Sequence, residues 1–241
     1  MQTAIQFFTL RDVDEPLPEL LDRVGETSLD GVEFGTVEEI EPVAAALDRN
    51  DLSVAGIHGI ADEFEDDPES VVEHHRPLDT DAFVIAWMAA DAFADRAAVE
   101  ATATRLDDLA GAFADAGTSL QYHNHDHEFV DLDDGRTGFD AFAEKTETVG
   151  IELDVGWAAA AGYDPTALVE RYGDRISHLH LKDVEIETGT PVEIGTGDVD
   201  MAGCAAAARE AGVEWLIYEH DEPDDPLASL EHGAEFLDEL R

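Results

Sequence analysis

The sequence predicts a single-domain α/β protein, a (β/α)8 or TIM barrel. Short apolar or alternating runs of strand character recur along the 241 residues, and Ala-, Leu- and Glu-rich stretches with helical spacing follow them. Eight such pairs average about 30 residues each, the length of one βαβ step, and repeated alternation of strand and helix implies a parallel sheet. No Pro-, Gly- or Ser-rich linker divides the chain, so we expect one domain over residues 1–241.

Each element is predicted from its local pattern. Strands are expected at residues 4–8, 31–34, 52–58, 82–87, 119–125, 150–156, 176–182 and 214–220, where β-branched and aromatic residues cluster or alternate. Helices are expected at 18–24, 37–49, 68–74, 97–116, 139–146, 165–172, 201–211 and 227–240. An open, doubly wound sheet is the alternative fold. It is disfavoured because FFTLRDVDE, after the first strand, lacks the Gly-rich turn typical of such sheets.

The charge of the chain excludes several classes of partner. It carries 58 acidic and 13 basic residues, which gives a formal net charge of −45. Proteins that bind nucleic acid or anionic membranes present basic surfaces, so neither kind of partner is expected. Because 44% of the residues are hydrophobic and lie in regular segments, we expect the chain to fold despite this charge.

The distribution of the charge predicts a cytoplasmic protein from a salt-accumulating halophile; an acidic mesophilic enzyme is the alternative. Acidic residues occur throughout, whereas Lys145 and Lys182 are the only lysines. Molar salt screens the resulting repulsion, because the Debye length is then only about 3 Å. Cys204 is the single cysteine, which fits a reducing compartment. The sequence shows neither a signal-peptide pattern nor an apolar run long enough to span a membrane.

Polar side chains with catalytic potential collect at the ends of the predicted strands. Barrels of this type place their working groups at the carboxyl ends of the strands. Because side chains alternate along a strand, His123 and His125 share one face, and so do His178, His180 and Lys182. We expect such faces to converge on one pocket. Its candidate residues are Glu33, His58, His123, His125, Asp154, His180, Lys182 and Glu219.

This set of side chains suits a divalent cation. Carboxylate oxygens and neutral imidazoles are ligands for Mn²⁺, Mg²⁺, Co²⁺ or Zn²⁺. Asp154, His180 and Glu219 are therefore candidate ligands of one metal ion. The alternative is structural, since a single histidine on a strand often only forms a hydrogen bond and an aspartate before Val-Gly can close a turn. Matching residues at several strand ends favour the metal site.

Five motifs and the opening segment resemble a known family. YHNHDHEF, ELDVGWAAAAG, HLHLKD, EIGTGDVD and WLIYEHDEP, with IQFFTLRD at the start, resemble xylose isomerase-like TIM barrels. The resemblance is to the sugar phosphate isomerase/epimerase family and especially to its inosose dehydratase-like branch. It implies one divalent metal held by Glu, Asp, His and Glu on strands five to eight, which carries over to Asp154, His180 and Glu219. Gln121 stands where many members carry the first Glu, so Glu128, His125 or water is expected to complete the set.

The resemblance also implies roles for other residues. His123 lies where related dehydratases place a catalytic base, with metal ligation or a structural hydrogen bond as alternatives. Lys182 is expected to hold a substrate oxygen or to stabilise an enediolate, the alternative being a salt bridge to Asp183 or Asp221. Glu33, His58, His125 and Trp157 are expected to contact the substrate.

These inferences predict a metal-dependent sugar isomerase or epimerase that abstracts a proton beside the carbonyl of a ketose or polyol. A keto-sugar or inosose dehydratase is the alternative, because both reactions begin with the same deprotonation. A non-catalytic sugar-binding barrel is a further alternative. Basic residues are scarce near the proposed pocket, which favours an uncharged sugar over a phosphorylated one. A homo-oligomer is possible on this evidence.

Overall fold

The computed structural model describes residues 1–133 and 135–241. Its strands are β1 (Gln2–Gln6), β2 (Gly31–Gly35), β3 (Ser53–Gly59), β4 (Ala82–Ile85), β5 (Ser119–His123), β6 (Gly150–Asp154), β7 (Ile176–Leu181), β8 (Asp183–Glu185), β9 (Thr190–Val192) and β10 (Trp215–Tyr218). Eight parallel strands close into a barrel in the order β1, β2, β3, β4, β5, β6, β7, β10, and β10 pairs with β1. Strands β8 and β9 form a separate antiparallel hairpin. The predicted (β/α)8 barrel is confirmed.

Helices surround the barrel and alternate with its strands. They are α1 (Leu17–Val24), α2 (Ile40–Asn50), α3 (Ala61–Asp66), α4 (Pro68–His75), α5 (Arg96–Asp115), α6 (Gly138–Lys145), α7 (Val155–Ala160), α8 (Pro165–Tyr172), α9 (Met201–Ala211) and α10 (Pro226–Glu239). No helix in the described part of the chain is both long enough and apolar enough to cross a bilayer.

Aspartates fix the starts of several helices. Asp95 caps α5 by accepting the Ala98 N–H, and Asp164 and Asp225 cap α8 and α10 in the same way. A proline occupies the first helical position after Asp164 and after Asp225, where its missing N–H costs no hydrogen bond. The predicted starts at residues 97, 165 and 227 therefore lie within one residue of the observed ones.

Several short elements differ from the prediction. The first strand ends at Gln6 rather than at residue 8, because the Gln6 side chain accepts the Phe8 N–H and begins a 3₁₀ turn. The sixth strand ends at Asp154 rather than at residue 156, because Asp154 Oδ1 accepts the Trp157 N–H at 2.8 Å and starts α7. Helices α3 and α7 and the β8–β9 hairpin were not predicted. Each is too short to show a clear period.

Apolar side chains fill the space between the barrel and its helices, whereas the barrel interior changes character along its length. A small buried cluster of Ala4, Ala55, Trp215 and Ile217 is formed by residues of β1, β3 and β10. Closer to the carboxyl ends, the inward residues are charged or imidazole-bearing and equally buried. The candidate site therefore lies at the carboxyl end of the barrel interior, beyond this apolar cluster.

Candidate active site

Side chains from six strands or their carboxyl ends meet inside the barrel. Side chains alternate along a strand, so residues two positions apart point into the same interior. Glu152 and Asp154 on β6 are one such pair, and His180 and Lys182 at the end of β7 are another. All except His58, whose side chain is 14% exposed, are buried. The set is Glu33, His58, His123, Glu152, Asp154, His180, Lys182 and Glu219. The structure thus brings together most of the residues that the strand-end pattern indicated.

Four of these residues form what we call the upper group: His123, Asp154, His180 and Glu219. One ligand atom from each lies within 4.8 Å of the others. His180 Nδ1 lies 2.9 Å from Glu219 Oε2, and His123 Nε2 lies 3.9 Å from Asp154 Oδ2. The four residues come from β5, β6, β7 and the end of β10, so neighbouring strands supply them.

The upper group has the chemistry of a divalent-metal site. Two carboxylates and two imidazoles make an oxygen and nitrogen donor set that suits Zn²⁺, Mn²⁺ or Co²⁺. Asp154 Oδ2 is buried, and apart from the ion pairs with Lys182 Nζ at 3.1 Å and His123 Nε2 at 3.9 Å it has no polar partner among the described residues. A carboxylate oxygen has two lone pairs, so one remains for a ligand role. Burial opposes ionisation of Glu219, but Lys182 and His180 outweigh it and hold the pKa of Glu219 well below its usual range.

Lys182 lies against the upper group and is almost completely buried. Its Nζ is 3.1 Å from Asp154 Oδ2, from Glu219 Oε2 and from Asp221 Oδ1. Burial disfavours the ammonium, but these carboxylates, Asp154 first, outweigh it and raise the pKa of Lys182. The same Nζ lies 4.8 Å from the centre of the Trp157 ring. Lys182 is therefore a cation held beside the proposed metal ligands.

The predicted alternatives for Lys182 were salt bridges to Asp183 or Asp221, and the structure distinguishes the two. Asp221 contacts the ammonium, whereas Asp183 accepts backbone N–H groups of Gly195 and Gly197, each at 2.9 Å. Asp183 thereby organises the loop that carries the GTG sequence. The backbone N–H groups of these two glycines therefore donate hydrogen bonds to a carboxylate of the protein itself.

A second set, which we call the lower group, lies one step towards the amino ends of the strands: Glu33, His58, Glu152 and His180. Their ligand atoms also lie within 4.8 Å of one another. Glu33 Oε2 is 2.7 Å from His180 Nε2 and 3.0 Å from His58 Nε2. Burial opposes the charge on His58, but Glu33 and Glu152 outweigh it and raise the pKa of His58 to about 10. Glu33 and His58, which were predicted to contact substrate, are thus members of a buried network.

Glu152 was missed by the sequence analysis. It precedes Asp154 by two residues in ELDVG, so it shares the inward face of β6. The sequence did contain a signal for it, namely an acidic residue in the middle of a strand that is otherwise apolar up to Asp154. Its Oε1 lies 2.9–3.1 Å from ring nitrogens of His58, His123 and His180.

Gln121, which stands where the resemblance implies a metal-binding Glu, does not lie in the upper group. Its side chain lies towards the amino end of the barrel, with Nε2 3.2 Å from Ser119 Oγ and Oε1 against the backbone of Gly150. Gln121 does share a face with His123, but the two-residue step along β5 places it one layer below the cluster. It is His123 that this strand contributes to the upper group.

Glu128, which was expected as a further ligand, lies outside the upper group. It is buried, but Oε1 accepts the Tyr122 hydroxyl at 2.5 Å and Oε2 accepts the His125 N–H at 2.8 Å. Tyr122 alternates with the inward residues of β5, so Glu128 lies on the outer side of that strand. Both carboxylate oxygens are engaged there because the short turn at His127–Phe129 folds back on β5.

His125 and Trp157 lie beside Lys182 and next to the upper group. Their rings are 5.9 Å apart, and the His125 ring is 5.1 Å from that of His123. His125 Nδ1 and Trp157 Nε1 are buried and have no hydrogen-bond partner among the described residues. Burial, with the nearby charges of His123 and Lys182, lowers the pKa of His125 to about 2. His125 is therefore a neutral imidazole with an unpaired ring nitrogen.

Comparison with known proteins places this barrel in a family. The model of the xylose isomerase-like TIM barrel family matches residues 21–240. Among curated proteins, the chain is similar to the rhizopine catabolism protein MocC of Rhizobium meliloti, with 32% identity over 160 residues, 57% of this chain and 48% of that protein. It is also similar to inosose dehydratase of Lacticaseibacillus casei, with 27% identity over 143 residues, 51% of this chain and 47% of that protein. The chain spans about half the length of these relatives.

Solved structures share the fold. A sugar phosphate isomerase/epimerase from Parabacteroides distasonis superposes with a TM-score of 0.83 at 19% identity, covering 98% of this chain and 93% of that one. The probable 3-DHS dehydratase AsbF from Bacillus anthracis gives a TM-score of 0.79 at 13% identity, covering 99% of each chain. At such identities the likeness establishes the barrel alone. With the family match over most of its length, the chain belongs to the xylose isomerase-like TIM barrel family.

Proposed function

We propose that the protein is a divalent-metal-dependent enzyme that removes a proton beside the carbonyl of an uncharged sugar or polyol. Return of a proton to the former carbonyl carbon gives isomerisation. Its return to the original carbon from the opposite face gives epimerisation. The observation that carries the proposal is the upper group with Lys182 against it, buried at the carboxyl end of the barrel. His123, Asp154, His180 and Glu219 would hold the metal, which when bound supplies Lewis acidity that makes the adjacent C–H more acidic.

In this proposal His123 is the fourth ligand rather than the base. Its Nδ1 lies 3.0 Å from Glu152 Oε1, and its Nε2 lies 3.9 Å from Asp154 Oδ2. With Nε2 on the metal, neither ring nitrogen would be left to accept a substrate proton. His125 lies two residues beyond the end of β5, and its Nδ1 has no hydrogen-bond partner among the described residues, so this nitrogen is left to accept a hydrogen bond from a hydroxyl of the substrate.

Lys182 would stabilise negative charge on the substrate. Its ammonium is fixed by three carboxylates and is directed towards the upper group from the side of Trp157. A buried and preorganised cation of this kind favours an enediolate over the neutral ketose, because the charge develops only after deprotonation.

The charge around the site supports an uncharged substrate. Lys182 is already surrounded by Asp154, Glu219 and Asp221. Arg11, the other cation considered from the sequence, donates to the Phe8 carbonyl at 2.8 Å and lies 4.0 Å over the Phe8 ring. A phosphate dianion would therefore meet more carboxylates than cations.

Dehydration is the second candidate, because curated relatives are named inosose dehydratase. Expulsion of a β-hydroxyl after the same deprotonation would give that reaction. A non-catalytic sugar-binding barrel is the remaining alternative.

Proton NMR in D₂O would test the proposal. Metal-loaded protein would be incubated with a panel of uncharged ketoses and inososes. Deuterium at the α-carbon of substrate or epimer supports an isomerase or epimerase, whereas loss of water with deuterium exchange supports a dehydratase. Binding of a sugar without exchange in any member of the panel would contradict the catalytic proposal.

A further inference from the structure

Three imidazoles converge on a single carboxylate oxygen beneath the proposed metal site. Glu152 Oε1 lies 2.9 Å from His58 Nε2, 3.0 Å from His123 Nδ1 and 3.1 Å from His180 Nε2. Two of these imidazoles, His123 and His180, belong to the upper group. We infer that Glu152 is a positioning residue, which holds both imidazole ligands of the metal in the tautomer and orientation that metal binding requires. This inference rests on the proposed function.

The protonation of the ring nitrogens explains how one carboxylate can position both histidines. A neutral imidazole has one N–H donor and one acceptor nitrogen. The hydrogen-bond acceptor beside the ring decides which nitrogen carries the hydrogen, and the other nitrogen can then bind a metal. With the hydrogen of His123 on Nδ1, facing Glu152, its Nε2, 3.9 Å from Asp154 Oδ2, is left to bind a metal ion. With the hydrogen of His180 on Nε2, its Nδ1, 2.9 Å from Glu219 Oε2, is likewise left to bind that ion. Glu152 thereby leaves Nε2 of His123 and Nδ1 of His180 facing the carboxylates of the upper group.

The backbone fixes this arrangement. His123 and Glu152 are direct partners in the β5–β6 ladder, and Asp154 and His180 are direct partners in the β6–β7 ladder. Glu152 is completely buried, so solvent does not compete for its oxygens. A carboxylate that accepts the second N–H of a ligating histidine orients the ring and strengthens the ligand. Here one residue contacts the second nitrogen of two ligands from the strands on either side, and it shares that of His180 with Glu33.

Glu33 is the neighbouring carboxylate, and its contacts differ in an informative way. Glu33 Oε2 lies 2.7 Å from His180 Nε2, but it also accepts a hydrogen bond from Gln6 Nε2 at 2.8 Å. No contact between Glu33 and His123 occurs among the described hydrogen bonds and ion pairs. Removing Glu33 would leave His180 with Glu152, whereas removing Glu152 would leave His123 Nδ1 without its acceptor. The two carboxylates are therefore expected to contribute unequally to metal affinity.

Metal affinity in matched variants tests the inference without any assay of turnover. Competition between the protein and a chelating dye for Zn²⁺ or Co²⁺ would be measured for wild type, Glu152→Gln, Glu33→Gln and Glu128→Gln. Glu128 is the matched control, because it is equally buried but lies on the outer side of β5. We expect the affinity of Glu152→Gln to fall by about 10- to 100-fold, as is usual for loss of such a partner. Glu33→Gln should fall less, and Glu128→Gln should match wild type.

The outcomes are distinguishable. Wild-type affinity in a Glu152→Gln protein with native circular dichroism would overturn the inference and leave the proposed metal site intact. A wild-type protein that binds no ion would overturn the proposed function, and the inference with it. If Glu152→Gln does not fold, long-range ¹H–¹⁵N spectra of the Zn²⁺-loaded wild type decide the matter. Hydrogen on His123 Nδ1 and His180 Nε2 supports the inference, and the opposite tautomer in either ring overturns it.

Discussion

The two ends of the barrel interior use the same strands for different purposes. On β7, His178 and His180 face inward two residues apart. His178 Nε2 lies 2.9 Å from the Ala55 carbonyl oxygen, near the buried cluster of Ala4, Ala55 and Trp215. His180 instead contacts Glu33 and Glu219. The depth of a histidine along its strand, rather than its residue type, decides whether it is structural or belongs to the candidate site.

The largest contrast between the ends is expected in metal content. Asp154→Ala and Glu219→Ala each remove an anionic ligand from the upper group, so bound metal should fall to background. Gln121→Ala, on the face of β5 but towards the amino end, should retain one ion per chain. Gln121→Glu should likewise leave metal affinity unchanged. Elemental analysis of dialysed proteins measures these contents, and equal values in all of them would remove the distinction between the ends.

The next largest effect is expected for Lys182. Lys182→Met should lower turnover by about 10²- to 10³-fold, the range for loss of one group that stabilises developing charge. Metal affinity should not fall, because the substitution removes a positive charge beside the ligands. Lys145→Met removes the other lysine, which is exposed, and should leave both quantities unchanged. A Lys182→Met variant that retains wild-type turnover would confine Lys182 to a structural role.

The carboxyl end should also make stability depend on pH. His58 has a pKa raised to about 10, against 6.5 in an unfolded chain, because Glu33 and Glu152 outweigh the effect of its burial. Its stabilising contribution is therefore complete below pH 6.5 and is lost as the pH rises towards about 10. The melting temperature of the metal-free protein should fall across this interval, and His58→Gln should reduce the slope. An unchanged slope in His58→Gln, measured by circular dichroism, would contradict this assignment.

The smallest effect concerns the net charge of the chain, in which 58 acidic residues face only 13 basic ones. With a net charge of −45, the fold should gain stability as KCl rises from about 0.1 M to molar concentration, because the Debye length falls from about 10 Å to about 3 Å. Melting temperature against KCl concentration measures this. A flat or falling curve would contradict the halophilic interpretation of the composition.

The sequence predicted the barrel and much of the site because both depend on periodicity. Alternation and strand ends were enough to indicate Asp154, His180, Lys182 and Glu219. Depth was not available, because period 2 gives the face of a strand but not the stagger of its neighbours. Position 121, which the resemblance matched to a metal-binding Glu, therefore lies one layer below the upper group, and Glu152 was not recognised as part of the site.

Glu128 shows a different limit. Its assignment as a ligand depended on the path of the chain after β5, and the turn at His127–Phe129 returns it to Tyr122 on the outer side of the strand. A turn of three residues has no periodicity from which that direction can be predicted.

The upper group, His123, Asp154, His180 and Glu219, is proposed to hold the metal. Anomalous diffraction from crystals grown with Co²⁺ or Zn²⁺ tests it most directly. The account predicts one strong peak within bonding distance, about 2.0–2.2 Å, of His123 Nε2, Asp154 Oδ2, His180 Nδ1 and a Glu219 oxygen. A peak between Glu33, His58 and Glu152 instead, or no peak inside the barrel, would contradict it.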